Sequence, residues 1–315
     1  MTSLELPMAH RSKALQRSPL RMAVDRFTAN RLAVLGIIGL SLFVVACYGT
    51  LPWTLHSFNQ QHLRDALAPP SWRHWMGTDT LGRDLLSRFL LGGAISLMIG
   101  VFSAMVAVGI GLTVGLVSGY AGGRVDALLM RAVDVLYGLP YILLVILLRV
   151  ALVGRLSDIL AGVGLPQSQG LAGIVVLLVG IGGVSWLTMA RVIRSQTMSL
   201  VNQPFVEAAR ATGAKPARIL FRHVFPNLIG SVAVYAALTI PNAILAESFL
   251  SFLGLGVQPP VPTWGNLAAA GVAAINPIHT QWWLIFWPCA GLTLALLCLN
   301  FLSDALRDAL DVRTR

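Results

Sequence analysis

Six long apolar runs alternate with short polar segments along the chain, at roughly 32–55, 94–118, 129–153, 171–193, 228–253 and 282–302. Each is long enough to carry an α-helix through the hydrocarbon of a bilayer, which takes about 20 apolar residues. The pattern predicts an all-α polytopic membrane protein with six transmembrane helices. The 31 residues before the first run are polar and basic. No small-residue cleavage site follows that run, so it reads as a retained anchor rather than a signal peptide. Within the arm, Ser18-Pro19 has the form of an N-cap followed by proline at the first helical position. Leu20, Val24 and Phe27 then share one face, beside Arg17, Arg21 and Arg26. An interfacial helix on the inner leaflet fits that spacing better than a solvated charged arm.

Composition agrees with the pattern. The chain of 315 residues is 56% hydrophobic and 11% charged, against about 25% charged in an ordinary soluble domain. Its mean hydropathy is +0.74. The net charge of +10 is accounted for by loop charges that set topology. Nucleic-acid binding is disfavoured, because no basic stretch is interleaved with aromatics. The arm, the second and fourth loops and the tail together hold 17 Lys and Arg, and the first, third and fifth loops hold 5. The positive-inside rule therefore places both termini and the fourth loop in the cytoplasm. The chain divides into an arm at 1–31, a transmembrane domain at 32–302 containing a projecting loop at 191–227, and a tail at 303–315. Cys47, Cys289 and Cys298 lie in apolar runs without metal-ligand spacing, so no metal site is expected.

The outer loops have features of their own. Trp53, Trp72 and Trp75 suit an interfacial aromatic belt. Thr78 or Asp79 is placed to cap a helix in the first loop. The fifth loop, about 254–281, has no charged residue but carries Pro259, Pro260, Pro262 and Trp264. It is expected to dip into the interface or cover a cavity.

The fourth loop carries the clearest functional pattern. Pro204 opens a helix of about two turns, and Gly213 ends it in the left-handed conformation. Ala208, Ala209 and Ala211 keep its sides thin, and Glu207 lies in its first turn, where negative charge is favoured. Pro216 starts a second helix, which Pro226 is expected to interrupt before the fifth span. The segment reads as a rigid element that docks a cytoplasmic partner.

This loop resembles the EAA loop of ABC-importer permeases at Glu207, Ala208, Ala209, Gly213 and Pro226. It departs from the general pattern at His223, where Ile is usual, and at Phe225, where Leu is usual. Further segments are similar to the oligopeptide/dipeptide permeases, and most of all to their C-type subunit. They are Gly77-Thr78-Asp79 with Gly82-Arg83-Asp84, Glu247 to Gly256 with Gln258-Pro259-Pro260 and Trp264-Gly265, Arg222 to Asn227, and Asp304 to Asp311. The resemblance covers roughly 20–312. The connection Val153–Gly170, with Pro166 and Gln167, looks longer than the family's usual external loop.

The resemblance implies a type I ABC importer permease in a bacterial inner membrane, forming half of a channel with a second homologous permease. It also implies two ATP-binding subunits underneath, which hold ATP and Mg, and an external peptide-binding protein above. It assigns ATPase coupling to Phe205, Glu207, Ala208, Ala209, Arg210, Gly213, Lys215 and Pro226. The chain has two lysines, Lys13 and Lys215, and neither stands in a GxxxxGK[ST] loop. ATP hydrolysis is thus assigned to partner chains, and this chain is expected to be a non-catalytic subunit without a cofactor of its own.

Two carboxylates are candidates for the translocation pathway. Glu247, deep in the fifth run, reads equally as a functional site or as an interhelical hydrogen-bond anchor. Asp134, near the inner end of the third run, is expected to pair with a neighbour such as Arg131. Permeases for dipeptides, nickel or antimicrobial peptides are the nearest alternatives. An ion-driven secondary transporter is a remoter one, since Glu247 is the only deep carboxylate and no inverted repeat stands out. No nucleophile–base or metal constellation supports an intramembrane enzyme.

Overall fold

The computed structural model describes residues 25, 27–164, 168–275 and 280–310. Most of the expected interfacial helix lies outside the described residues, as do Pro166, Gln167 and the last five residues of the tail. Among the described residues every regular element is helical, and the one isolated bridge joins Thr78 to Asp84. The helices are α1 Arg31–Gly49, α2 Leu51–Ser57, α3 Leu85–Ala121, α4 Gly123–Tyr137, α5 Tyr141–Gly162, α6 Ser168–Val201, α7 Pro204–Ala211, α8 Pro216–Ile219, α9 Phe225–Phe252, α10 Trp264–Ala273 and α11 Trp283–Leu310.

Five spans meet the length and hydropathy needed to cross a membrane: α1, α3, α6, α9 with the turns before it, and α11. The third apolar run is not straight. It divides into α4 and α5, which meet at 92° and make a sixth span only if taken as one bent unit. The cause is local: Pro140 has no N–H to donate and disfavours helical geometry at Leu139 before it. Its carbonyl instead opens the next helix, accepting from the Leu144 N–H. The segment 154–170, expected to be an extended loop, is largely helix. Here α5 continues to Gly162 and α6 begins at Ser168, because Leu156, Ile159 and Leu160 prolong the apolar pattern past Arg155.

The bundle is built on the pair α3 and α6. At about 1.5 Å per residue, α3 is roughly 55 Å long, well beyond a hydrocarbon core of about 30 Å. Gly111, Gly115 and Gly119 recur at one-turn spacing on its α6-facing side. A Cβ at Gly115 would stand 2.8 Å from the Ala190 carbonyl oxygen, and one at Gly119 would stand 2.7 Å from the Arg194 carbonyl oxygen. The two backbones therefore touch, which apolar membrane helices need because lipid offers no hydrophobic drive to pair them. Ser103 adds a hydroxyl donated to the Leu178 carbonyl at 3.0 Å. Helix α9 packs against both helices, meeting α3 where Gly100 faces the Ile244 side chain. On the outer flank α1 lies against α11, where a Cβ at Gly36 would stand 2.9 Å from the Cys298 carbonyl oxygen.

One end of the bundle is closed by the first and fifth loops. Asp84, rather than Thr78 or Asp79, caps α3, accepting from the Ser87 N–H at 2.9 Å. Asp79 is used inside the loop, where it accepts from the Leu81 and Arg83 N–H groups and from Arg83 Nε at 2.7 Å. Trp283 Nε1 donates to the Thr78 carbonyl at 3.3 Å, joining this loop to the start of α11. The uncharged fifth loop does enter the bundle. Its helix α10, at ten residues, is about 15 Å long and too short to cross. Trp264 is wholly buried against Phe43 and Phe89, and its Nε1 donates to the Phe89 carbonyl at 3.2 Å. A Thr263–Asn266 capping box satisfies the helix start, and Asn266 also donates to the Val257 and Val261 carbonyls. Non-helical backbone is tolerated at this depth because protein supplies its hydrogen bonds.

Gly115→Val should lower stability by about 1–3 kcal/mol through overpacking against fixed backbone. The control Gly109→Val, where an added Cβ would meet no neighbouring side chain or helix within 4 Å, should leave it almost unchanged. Thermal unfolding of the detergent-solubilised protein followed by size exclusion measures both; equal behaviour of the two variants would contradict the seam.

Candidate functional site

At the opposite end of α3 the chain builds a compact projection. Gln203 is extended and Pro204 takes the first turn of α7. The helix ends in a Schellman motif: the Ala214 N–H donates to the Ala209 carbonyl at 3.1 Å and the Gly213 N–H to the Arg210 carbonyl at 2.9 Å. Gly213 has φ +77°, the left-handed geometry that the motif requires and that glycine adopts without a Cβ clash. Val206 and Ala209, three residues apart, are the buried positions of α7. They enter a cluster with Leu116 of α3, Ile193 and Val201 of α6, and Val224 and Leu228 at the start of the next span. Burying Val206 alone contributes about 1.5–3 kcal/mol, so α7 is fastened to three long helices rather than hanging from a flexible loop.

Of the residues read as coupling positions, Phe205, Glu207, Ala208, Arg210, Gly213, Lys215 and Pro226 are exposed, and Ala209 is buried beneath them. Ala209 therefore supports the surface. The Arg210 guanidinium lies 5.7 Å from the Tyr120 ring centroid, which holds it against α3.

Pro226 does not interrupt the helix. Leu220–Val224 form one π turn between α8 and α9, and the Phe225 N–H donates to the Leu220 carbonyl five residues back. The widened turn carries the chain past a residue that lacks an N–H, so that Pro226 sits in the first turn of α9. A groove of about 580 Å³ opens between α7 and this segment. Its lining adds Arg218, Arg222 and His223 to the expected residues Phe205 and Ala208. The sequence signal for the two arginines was their i,i+4 spacing, which puts both on one helical face.

The two candidate pathway carboxylates differ sharply in setting. Glu247 of α9 is 0% exposed. Ser96 of α3 donates to Oε2 at 2.8 Å, Ser251 to Oε1 at 2.7 Å, and Ser248 to Oε2 at 3.3 Å. Ser251 Oγ in turn accepts from the Val257 N–H at 3.1 Å. One carboxylate thus ties α3, α9 and the fifth loop together. It is closed off from the open groove that its neighbours Ala246 and Phe249 help to line.

Asp134 is exposed and pairs with Arg191 of α6 at 2.7 Å, not with Arg131. Arg131 lies three residues away on the same helix, whereas the packing of α4 against α6 sets Arg191 beside the carboxylate. The Arg191 guanidinium also stacks 4.4 Å above the Tyr137 ring. Eight residues earlier on α4, Asp126 accepts from Arg194 through both oxygens and from the Ser118 hydroxyl. The elbow between α4 and α5 then forms one wall of a groove of about 630 Å³, facing Ser185 and Thr188 of α6 and Asn242 and Leu245 of α9.

An all-helical membrane bundle bearing a braced projection at one end has the form of a transport component. The chain belongs to the family of binding-protein-dependent transport system inner membrane components, whose family model matches residues 111–315. Residues 18–70 match the N-terminal transmembrane domain of oligopeptide transport permease C. Similar proteins include the dipeptide transport system permease protein DppC of Bacillus subtilis, 42% identical over 92% of this chain and 84% of that protein. The oligopeptide transport system permease protein OppC of Haemophilus influenzae is 40% identical over 95% of this chain and 90% of its own length. Its Escherichia coli K12 counterpart is 42% identical over 95% and 93%. The chain is therefore a multi-pass membrane permease subunit.

Replacing Glu247 by Ala should cost about 1–3 kcal/mol, because buried hydroxyls lose their acceptor. Glu247→Gln, which keeps one acceptor oxygen, should recover part of that loss. Thermal unfolding in detergent reads both variants, and an Ala variant as stable as the parent would contradict the anchoring role.

Proposed function

We propose that this chain is the translocation subunit of an ATP-driven oligopeptide importer in a bacterial inner membrane. It forms half of the transmembrane pathway beside a second homologous permease. Two partner subunits bind ATP and Mg, and an external peptide-binding protein delivers substrate. The observation that carries this reading is α7: an exposed helical face of Phe205, Glu207, Ala208 and Arg210 mounted on buried Val206 and Ala209, in a chain of this family. A push on that face is transmitted to α3, α6 and α9 through one apolar cluster.

The positive-inside count puts the α7 end in the cytoplasm, together with both termini. ATP binding draws the docked α7 elements together and switches the spans from inward-facing to outward-facing; hydrolysis resets them. Glu207 forms a charge-assisted contact with the ATPase, and Lys215 and Pro226 hold the loop that presents it. Asp134 stands at the rim of the pathway and Glu247 one layer behind it. The named relatives transport oligopeptides or dipeptides, and the oligopeptide reading is favoured by the match to the permease C domain.

Glu207→Lys is expected to leave the protein in the membrane while uptake of a labelled peptide in cells falls at least about tenfold, a charge reversal in a charge-assisted contact. Peptide uptake at the parental rate would remove Glu207 from the coupling surface. Affinity purification of the tagged chain should bring down ATP-binding subunits; their absence would overturn the importer assignment.

A further inference from the structure

Helix α4 is held in an unusual way. Among its described residues only Val133 is buried, so apolar packing does not fix its position. It stands between two joints. One is Gly122–Gly123, both at positive φ with open space around them; the other is the 92° elbow at Gly138–Pro140. Between the joints, two ion pairs bind it to α6. Asp126–Arg194 is the less exposed pair, with side chains 13% and 31% exposed, and Ser118 of α3 donates to the same carboxylate. Asp134–Arg191 is open to solvent, at 67% and 42%.

Helix α6 is the element that continues into the projecting loop. Arg194 lies two turns before Val201, and Val201 shares a buried cluster with Val206 of α7. Arg191, Arg194 and α7 therefore ride on one rigid body. On the other side of the clasp, Tyr137 lies under the Arg191 guanidinium and, with Leu136, Leu139 and Tyr141, walls the groove of about 630 Å³.

We infer that Asp126, Asp134, Arg191 and Arg194 are positioning residues that carry displacement of α7 to the α4–α5 elbow and so to the wall of this groove. Asp126–Arg194 is the permanent pivot: a bidentate pair with a third donor keeps its geometry. Asp134–Arg191 is the part that opens and closes, since an exposed pair is screened and weakly held. When it parts, Tyr137 loses its cation partner and the elbow turns about the pivot. This inference rests on the coupling reading of α7 and adds the route from that loop to the pathway.

The test uses the whole permease complex with its ATP-binding partners. All three native cysteines are replaced by alanine and a single reporter is placed by Ser185→Cys on the groove. The rate of N-ethylmaleimide labelling is measured without nucleotide and with the complex trapped by ATP and vanadate. The parent should show a nucleotide-dependent change in labelling of about five- to tenfold. Asp134→Asn should keep the ATP-binding chains in copurification but reduce that change to below about twofold, with peptide uptake falling in parallel. The paired exchange Asp134→Arg with Arg191→Asp should restore both, since the contact between the two helices rather than either side chain alone carries the displacement. A full labelling change and normal uptake in Asp134→Asn would overturn the clasp and leave the coupling reading standing. A parental complex that retains its ATP-binding chains but shows no nucleotide-dependent change would overturn the coupling reading and the clasp with it.

Discussion

The backbone contact between α3 and α6 is the constraint on which the remaining structure depends. In hydrocarbon, two leucine-rich helices gain nothing by touching each other rather than lipid; close approach through small residues changes that balance. The seam at Gly111, Gly115 and Gly119 brings the carbonyls of Ala190 and Arg194 to within van der Waals range of α3. It also sets where both helices end. Ser118 and Arg194 meet around Asp126 because the seam fixes the register of the two helices. Leu116 and Ile193 form the floor under α7 for the same reason.

The two ends of this rigid pair solve different problems. At one end, the loops are knitted by hydrogen bonds that replace water: Asp79 within its turn, Asp84 at the α3 start, and the Thr263–Asn266 box at α10. Glu247 belongs to this system. Its oxygens accept from three serines on two helices, and a charge or acid placed so deeply is stable only when its lone pairs are used. At the other end, the chain presents polar and aromatic side chains to the outside. The mounting beneath them is apolar, so the projection is stiff where it joins the bundle and chemically open where a partner meets it.

Much of the projection was legible in the linear sequence. Pro204 and Gly213 bound a helix by local rules alone, since one lacks an N–H and the other tolerates positive φ. The burial of Ala209 was not legible: its small side chain reads as part of the exposed face, and only packing of α7 on Leu116, Ile193 and Val201 turns it inward with Val206. The π turn before Pro226 was not legible, because proline's usual effect is to break a helix. Only the packing of Ile219, Val224 and Leu228 into one cluster makes continuing the helix more favourable than ending it. Arg218 and Arg222 appeared first as topology charges; their shared groove with Phe205 requires α7 to fold back beside them.

The sequence by itself determined that the chain crosses a membrane several times, which loops carry the positive charge, and where the braced helix starts and stops. These follow from run length, composition and single-residue backbone chemistry, which act over a few turns. The tertiary structure alone decided that the third run bends by 92°, that Asp134 answers to Arg191, and that Glu247 faces the serines of α3 and α9 rather than the open groove. Each of those depends on which helix lies beside which. That is set by close packing between residues far apart in sequence, a property that no local pattern records.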